Sequence, residues 1–246
     1  MKRILAILLL PSLMFASAAM PWLKHSRGPS SGSGGGGGGT PELVDQIGAG
    51  ASSGGAGFTT SAIDTTGANL IVVVKVWYGG SEPTITDSKS NSYTAAGAAS
   101  VNSTNWSVRQ YYVYGGTVGS GHTFTLDGTE HYASIAVMAF SGIATSPKDQ
   151  DAADEESAWT TLPSGSLTPS QANSVSVTGI VFDDGSGTVT EPSGYTAGPE
   201  LMTSSGAHIG VSAAWKILSA TTPINPDWTA STSYVAGASK HVNYKY

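Results

Sequence analysis

The chain contains no cysteine among its 246 residues. This absence excludes disulfide bonds, thiol nucleophiles and thiolate metal sites. It is compatible with any compartment, because a domain that buries a large apolar core needs no covalent cross-links. Any chemistry that the protein performs must therefore use other residue types.

Charge and helix-forming residues are also scarce. Charged residues make up 11% of the chain and the net charge is −6, with no basic stripe that would neutralise phosphates, so we expect no nucleic-acid partner. Glycine accounts for 32 of the 246 residues, and after position 40 no long segment has a 3.6-residue apolar period. This composition predicts strands and tight turns in place of helices.

Residues 1–19 have the pattern of a secretory signal peptide. A basic start, MKR, precedes a short apolar run and the small residues ASAA. The apolar run is too short to span a bilayer comfortably, and no later stretch is long enough. We expect cleavage after Ala18 or Ala19, no membrane insertion after cleavage, and a secreted or extracellular protein, with the periplasm or cell surface as alternatives.

Residues 20–40 have the composition of a linker. Six consecutive glycines, Gly34 to Gly39, follow a serine- and glycine-rich stretch. Such a run has no side chains to pack, so it predicts a flexible tether. The tether is either an inert leader or a spacer that holds the rest of the chain away from whatever the start of the linker contacts.

Residues 41–246 have the pattern of short strands separated by clusters of glycine, proline, asparagine and aspartate. The gaps leave little room for crossover helices, so we expect antiparallel pairing. About ten to twelve strands predict an all-β, antiparallel two-sheet β-sandwich, jelly-roll-like, in one domain. No internal repeat is evident. The predicted strands are 43–48, 57–63, 69–78, 84–86, 92–96, 105–114, 121–126, 131–141, 173–183, 187–190, 206–218 and 234–245.

The segment TITDSKSNSYT predicts a surface turn between two short strands. A calcium loop is disfavoured, because Lys89 stands among the oxygen ligands and no bidentate glutamate follows at the right offset. Together with the neighbouring strands, this segment resembles a group of poorly characterised β-sandwich domains of exported bacterial and phage-associated proteins. In that group the turn usually reads D-S-x-G-N-x-Y, whereas Ser90 stands here at the glycine position. The resemblance covers about residues 63–143 and implies a fold, with no catalytic residues.

Exposed aromatic side chains are the best candidates for a ligand site, because carbohydrate-binding sandwiches stack sugar rings on them. Alternation places Trp77 on the same face as Lys75, which predicts a partly wet face, and groups Tyr111 with Arg109. Two further tryptophans are predicted to lie in loops. The predicted ligand-binding residues are Trp77, Tyr111, Arg109, Trp159 and Trp228.

Catalytic and metal-binding patterns are weak. His122 and His131 flank a short turn, but two surface histidines are the simpler interpretation. The acidic stretch 149–156 predicts a solvated loop, with calcium binding left open. A lyase would need a concave cluster such as Arg109 with Tyr111, or His241 with Asn243 and Lys245. We predict no catalytic residues, no metal and no cofactor.

These observations favour an exported, non-catalytic binding module for a cell-surface or polysaccharide glycan. One alternative is a structural or decoration subunit of a phage particle or extracellular assembly, which would self-associate through its strand edges. The other alternative is a polysaccharide lyase or hydrolase, which would need a cleft with converging ionisable groups.

Overall fold

The structure, a computed structural model, describes residues 40–51, 57–127, 132–183, 187–202, 209–234 and 236–246. The predicted signal peptide, nearly all of the tether, and His131 lie outside these ranges. The described residues form strands and no helix, so none of their elements is a helix long and apolar enough to cross a bilayer. The all-β expectation is confirmed.

The strands fall into two consecutive sets along the chain. The first set is β1 (Glu42–Gly50), β2 (Phe58–Thr59), β3 (Leu70–Tyr78), β4 (Ile85–Asp87), β5 (Thr94–Ala95), β6 (Ser100–Val101), β7 (Trp106–Tyr114), β8 (Phe124–Leu126) and β9 (Ala133–Ser141). The second set is β10 (Lys148–Glu156), β11 (Trp159–Pro163), β12 (Ser174–Phe182), β13 (Val189–Thr190), β14 (Thr196–Met202), β15 (Gly210–Leu218), β16 (Asp227–Tyr234) and β17 (Gly237–Tyr244). The sequence pattern predicts no strand where β6, β10, β11, β14 and β16 lie.

These strands form four antiparallel sheets, where the sequence pattern predicts two. One large sheet has the order β1-β9-β3-β7-β5, with β6 also paired to β7, and the other has the order β10-β17-β12-β15-β14. Two small sheets have the orders β2-β8-β4 and β11-β16-β13. The two large sheets pack face to face, as in a β-sandwich, and each carries a small sheet on its outer face.

The core is layered because the central strands are apolar on both faces. Val72, Val74 and Val76 of β3 point toward the other large sheet, while Ile71 and Val73 point toward the small sheet that covers them. A strand covered on both sides loses water from every side chain, which matches the unbroken apolar run that its sequence shows. The prediction that these strands are central is confirmed.

The two large sheets approach closely where β3 crosses β12. A Cβ atom at Gly179 would lie 2.4 Å from Cγ1 of Val74, so no larger residue fits there without displacing the sheets. Nearby, the buried Gln110 amide donates to the carbonyl oxygens of Val177 at 3.0 Å and Lys240 at 2.8 Å. The apolar core between the two large sheets and the hydrogen bonds of Gln110 hold the first set of strands against the second.

The two sets of strands repeat one topology. Apart from β6, the strand order of one large sheet becomes that of the other when β1, β9, β3, β7 and β5 are replaced by β10, β17, β12, β15 and β14. The small sheets correspond in the same way. The isolated bridge between Ile63 and His122 likewise corresponds to the one between Leu167 and Ile224. The prediction of no internal repeat is therefore wrong. The repeat is hard to detect in the sequence, because a buried strand position accepts any of several apolar residues, so the two halves can share a fold with few identical residues.

Candidate functional site

An open polar pocket lies where the first large sheet meets its small sheet. The chain leaves β3 through Gly79 and Gly80, both at positive φ (70° and 49°), and turns back over the sheet. This return places Glu82 above β3 and β7. The resulting cavity has a volume of about 230 Å³ and is lined by Lys75, Glu82, Pro83, Thr84, Ile85, Tyr93 and Tyr111.

The Glu82 carboxylate is the centre of a charged cluster at this pocket. Its Oε1 accepts from Lys75 Nζ at 2.9 Å and from the Tyr111 hydroxyl at 2.5 Å, and its Oε2 accepts from Arg109 Nη1 at 2.9 Å. Lys75 and Arg109 meet because they are cross-strand partners on β3 and β7. One carboxylate thus holds two cations and a phenol in fixed positions, which is the preorganisation that a binding site needs.

Burial shapes the protonation of this cluster. Lys75 is 2% exposed, and its pKa is lowered, first by burial and also by the charge of Arg109, against the opposing hydrogen bond and charge of Glu82. For Glu82, burial alone would raise the pKa, but the hydrogen bonds from Tyr111 and Lys75 outweigh burial and hold the pKa below its usual value. Burial and the acceptor Glu82 both raise the pKa of Tyr111, so this phenol remains a hydrogen-bond donor at neutral pH.

The structure brings two of the predicted ligand-binding residues together and buries the others. Arg109 and Tyr111 are partly exposed and meet at Glu82, as their shared strand face indicates. Trp77 is 5% exposed, under the small sheet, so the prediction of a partly wet face is wrong. The prediction of a wet face came from Lys75, which shares this face with Trp77. The Lys75 side chain is itself buried, because it pairs with Glu82.

Trp159 and Trp228 lie in strands β11 and β16, where the sequence pattern predicts loops. Their exposed fractions are 2% and 1%, and both belong to the core between the second large sheet and its small sheet. The Trp159 ring stacks on Tyr234 with centroids 5.1 Å apart, and Trp228 Nε1 donates to Thr178 Oγ1 at 3.1 Å. Neither ring offers an exposed face to a sugar.

The turn after β4 is built around Asp87. Its Oδ1 accepts from the backbone N–H groups of Lys89 at 2.9 Å and Asn91 at 3.0 Å. Its Oδ2 accepts from Asn91 Nδ2 at 2.8 Å and from the Tyr93 hydroxyl at 2.7 Å, and it lies 3.0 Å from His122 Nε2. Burial would raise the pKa of Asp87, but the donors, Tyr93 first, hold it below its usual value. The segment is a structural turn, as predicted.

Ser90 occupies the left-handed region of this turn, with φ at 59°. A side chain with a Cβ atom is strained there, whereas glycine is not. We expect Ser90→Gly to raise the free energy of unfolding by about 0.5–1 kcal/mol. Chemical denaturation measures this change, and Ser92→Gly, at a neighbouring exposed serine with no positive φ, serves as the control. A loss of stability in Ser90→Gly would contradict the expected relief of strain.

A serine–histidine pair lies in the second half, away from solvent. Ser176 Oγ lies 2.7 Å from His241 Nε2, and His241 Nδ1 lies 3.2 Å from the Gly165 carbonyl, so Nδ1 carries the proton and Nε2 accepts from the serine. Ser176, His241 and Asn243 are each 0% exposed. A nucleophile or a lyase base needs access to substrate, so this burial weighs against the lyase alternative that would use His241, Asn243 and Lys245.

The acidic stretch 149–156 forms most of edge strand β10, so the prediction of a loop is wrong. Asp151 is paired with Lys148 at 2.6 Å and Lys240 at 2.5 Å, and Asp149 accepts from Ser170 Oγ at 2.6 Å. These cations oppose a bound calcium ion. Within the described ranges, no three histidine or acidic side chains converge as a metal site. His122 is 0% exposed, so the prediction of a surface histidine is wrong there, and His131 lies outside the described ranges.

The fold and the pocket together define an all-β protein of antiparallel sheets that carries a charged, open pocket on one large sheet. Comparison with protein-family models, curated proteins and solved structures finds no match to this chain. The function is therefore argued from the pocket itself.

Proposed function

We propose that the chain is an exported, non-catalytic binding module for a glycan, with the pocket beside Glu82 as its binding site. The observation that carries this proposal is the charged cluster itself, in which Lys75, Arg109 and Tyr111 are held by one carboxylate at the mouth of an open cavity. Saccharide sites commonly combine fixed polar groups with the face of an aromatic ring, and the partly exposed Tyr111 supplies such a ring.

The charge of the pocket favours an acidic saccharide. The pocket's charged cluster contains two cations and the one carboxylate of Glu82, while the charge of Asp127, which accepts from the Thr84 N–H, reaches Lys75 from beside the pocket. Arg109 is 26% exposed, and its bonds to Glu82 and to the Gly97 carbonyl use two of the five guanidinium N–H groups. The remaining N–H groups suit a carboxylate or sulfate on a sugar.

The jelly-roll connectivity and the export of the chain belong to the same proposal. In each half, strand order places the first and last strands side by side in the large sheet, as a jelly roll does. Residues 1–19 would direct export and residues 20–40 would tether the sandwich to its site of action. The acidic residues along β10 weigh against an assembly subunit, since charged edges oppose edge-to-edge pairing.

Binding to acidic polysaccharides tests the proposal. We expect the purified chain to bind immobilised polygalacturonate or a sulfated glycan, and Arg109→Ala to weaken binding by about tenfold or more. Lys216→Ala is the control, because it removes a partly exposed cation from β15, which belongs to the other large sheet. Equal binding by Arg109→Ala and the control would place the site elsewhere. A chain that binds no glycan and sediments as a large species would overturn the proposal in favour of an assembly subunit.

A further inference from the structure

The two halves differ in length at the turn that precedes their fifth strand. Around it, Thr84–Asp87 reads TITD and Thr188–Glu191 reads TVTE, and both turns lead into Tyr-Thr-Ala, at Tyr93–Ala95 and Tyr195–Ala197. Between these matching ends, the first half has five residues, 88–92, and the second half has three, 192–194. The matching ends and the shared strand order indicate two diverged copies of one unit.

The packing between the halves supports this interpretation. Strand β7 packs on β17 while its counterpart β15 packs on β9, so exchanging the halves exchanges these two contacts. The contacts of β14 with β1 and β9 are matched by contacts of β6 with β10 and β17. The pairing irregularity near Asp45 in β1 also has a counterpart near Asp151 in β10. Such exchange symmetry is the mark of an isologous interface, here within one chain. Positions in one half therefore have equivalents in the other.

In the first half, the longer turn is bonded to the connection between β7 and β8. The Asn91 side chain donates to the Thr117 carbonyl at 2.9 Å and accepts from the Thr117 N–H at 2.7 Å. Lys89 Nζ donates to the Ser120 carbonyl at 3.0 Å, and Ser88 Oγ accepts from the Thr123 N–H at 3.0 Å. These bonds fill the space between the two segments.

In the second half, the shorter turn leaves a groove in the equivalent place. The groove has a volume of about 510 Å³ and lies between the turn after β13 and the start of β16. Its lining residues are Thr190, Glu191, Pro192, Ser193, Asn225, Pro226, Asp227 and Thr229. Pro192 and Pro226 are buried and form an apolar floor, while the acids, the amide and the hydroxyls around them are exposed.

We propose that this groove is a second ligand site and that it takes a neutral, hydroxyl-rich saccharide. Glu191, Asp227 and Asn225 supply acceptors for sugar hydroxyls, and the proline floor suits the C–H face of a pyranose ring. The groove is lined by two carboxylates and by no cation, although Lys216 Nζ lies close to Gly194 beside it. This charge disfavours the acidic saccharides proposed for the pocket beside Glu82.

The ligand class of the groove rests on the proposed function, while its location rests on the comparison of the two halves. Residue-resolved NMR on the full chain tests the ligand class and the location of the site separately. Titration with cellotetraose, maltotetraose and mannotetraose is expected to shift the amide signals of Thr190, Asn225 and Thr229. The signals of Thr84 and Tyr111, beside the Glu82 pocket, should shift only with acidic oligosaccharides.

A turn graft provides the matched variant. Residues 192–194 are replaced by the sequence Ser-Lys-Ser-Asn-Ser of the first half, whose flanking residues already match. We expect the graft to fill the groove and to weaken neutral-saccharide binding by about tenfold or more, with binding of polygalacturonate unchanged. The variant Glu191→Gln, which keeps the shape and removes one charge, guards against a graft that does not fold and should weaken binding in the same direction.

Each outcome decides one proposal or both. Shifts confined to the groove with neutral sugars, lost in the graft, support the second site. Shifts confined to the Glu82 pocket overturn the second site and leave the proposed function standing. Groove shifts without any acidic binding keep the second site and overturn the placement of the proposed function. No shift with any saccharide overturns both.

Discussion

Asp87→Ala is expected to lower the free energy of unfolding by about 3–5 kcal/mol. The Asp87 side chain is 0% exposed, and its carboxylate accepts from two backbone N–H groups, the Asn91 amide and the Tyr93 hydroxyl. Alanine would leave these donors without their acceptor, and it would leave His122 beside an empty space. Leaving a buried donor without an acceptor costs more free energy than one hydrogen bond contributes on balance to stability.

Urea denaturation measures this loss, with Asp127→Ala as the control. Asp127 belongs to the same half and its Oδ1 accepts from the Thr84 N–H at 2.7 Å, but the residue is exposed. We expect Asp127→Ala to cost about 1 kcal/mol or less, because water replaces the lost acceptor. An equally small cost in Asp87→Ala, with an unchanged m-value, would mean that the turn does not depend on its carboxylate.

Lowering the pH from 7 to 4 is expected to cost about 3 kcal/mol of stability through His241. Burial lowers the pKa of His241 from 6.5 to about 4, against a weaker opposing effect of the Gly165 carbonyl. Between pH 6.5 and pH 4 the His241 ring binds a proton in the unfolded chain but not in the folded chain. The contribution of neutral His241 is therefore complete above pH 6.5 and is lost progressively as the pH falls toward 4.

The variant His241→Gln isolates this effect, because it removes the titrating ring. Its free energy of unfolding should vary less with pH between 6.5 and 4 than that of the parent chain, whatever its absolute stability. Glu200 acts in the opposite direction, since burial raises its pKa, so both proteins are best compared in a Glu200→Gln background. The carboxyl groups of Glu82, Asp87, Asp149 and Asp151 have lowered pKa values, so their contributions are lost progressively as the pH falls below about 5, in the variant and the parent alike. Identical pH profiles would contradict the assignment.

The pocket was only half predictable. Strand alternation alone placed Arg109 and Tyr111 on one face, because successive side chains of a strand point to opposite sides. Glu82 gave no signal, since its position above the strands depends on the path of the chain through Gly79 and Gly80. Lys75 led to the wrong prediction of an exposed face, because a lysine can be buried where a carboxylate from another part of the chain pairs with it.

The buried tryptophans show the same limit. Trp159 and Trp228 stand among polar residues, in TTLP and DWTA contexts that resemble loops, and yet each lies under 3% exposed in a short strand. A small sheet that covers a large one needs only a few anchoring rings on one face, so its strands have little apolar periodicity. Strand β10 is likewise hard to predict from its acidic sequence, because the charge of Asp151 is balanced by Lys148 and Lys240, of which Lys240 is distant in the chain.

Sequence alone determined the all-β class, the antiparallel pairing, the central strands and the Asp87 turn, because each depends on local composition, on side-chain period or on short-range hydrogen bonds. Tertiary structure decided the number of sheets, the repeat of one topology in two halves, the burial of Trp77, and the cluster around Glu82. These features depend on residues far apart in the chain, and a period-two pattern states which face a side chain takes but not what covers that face.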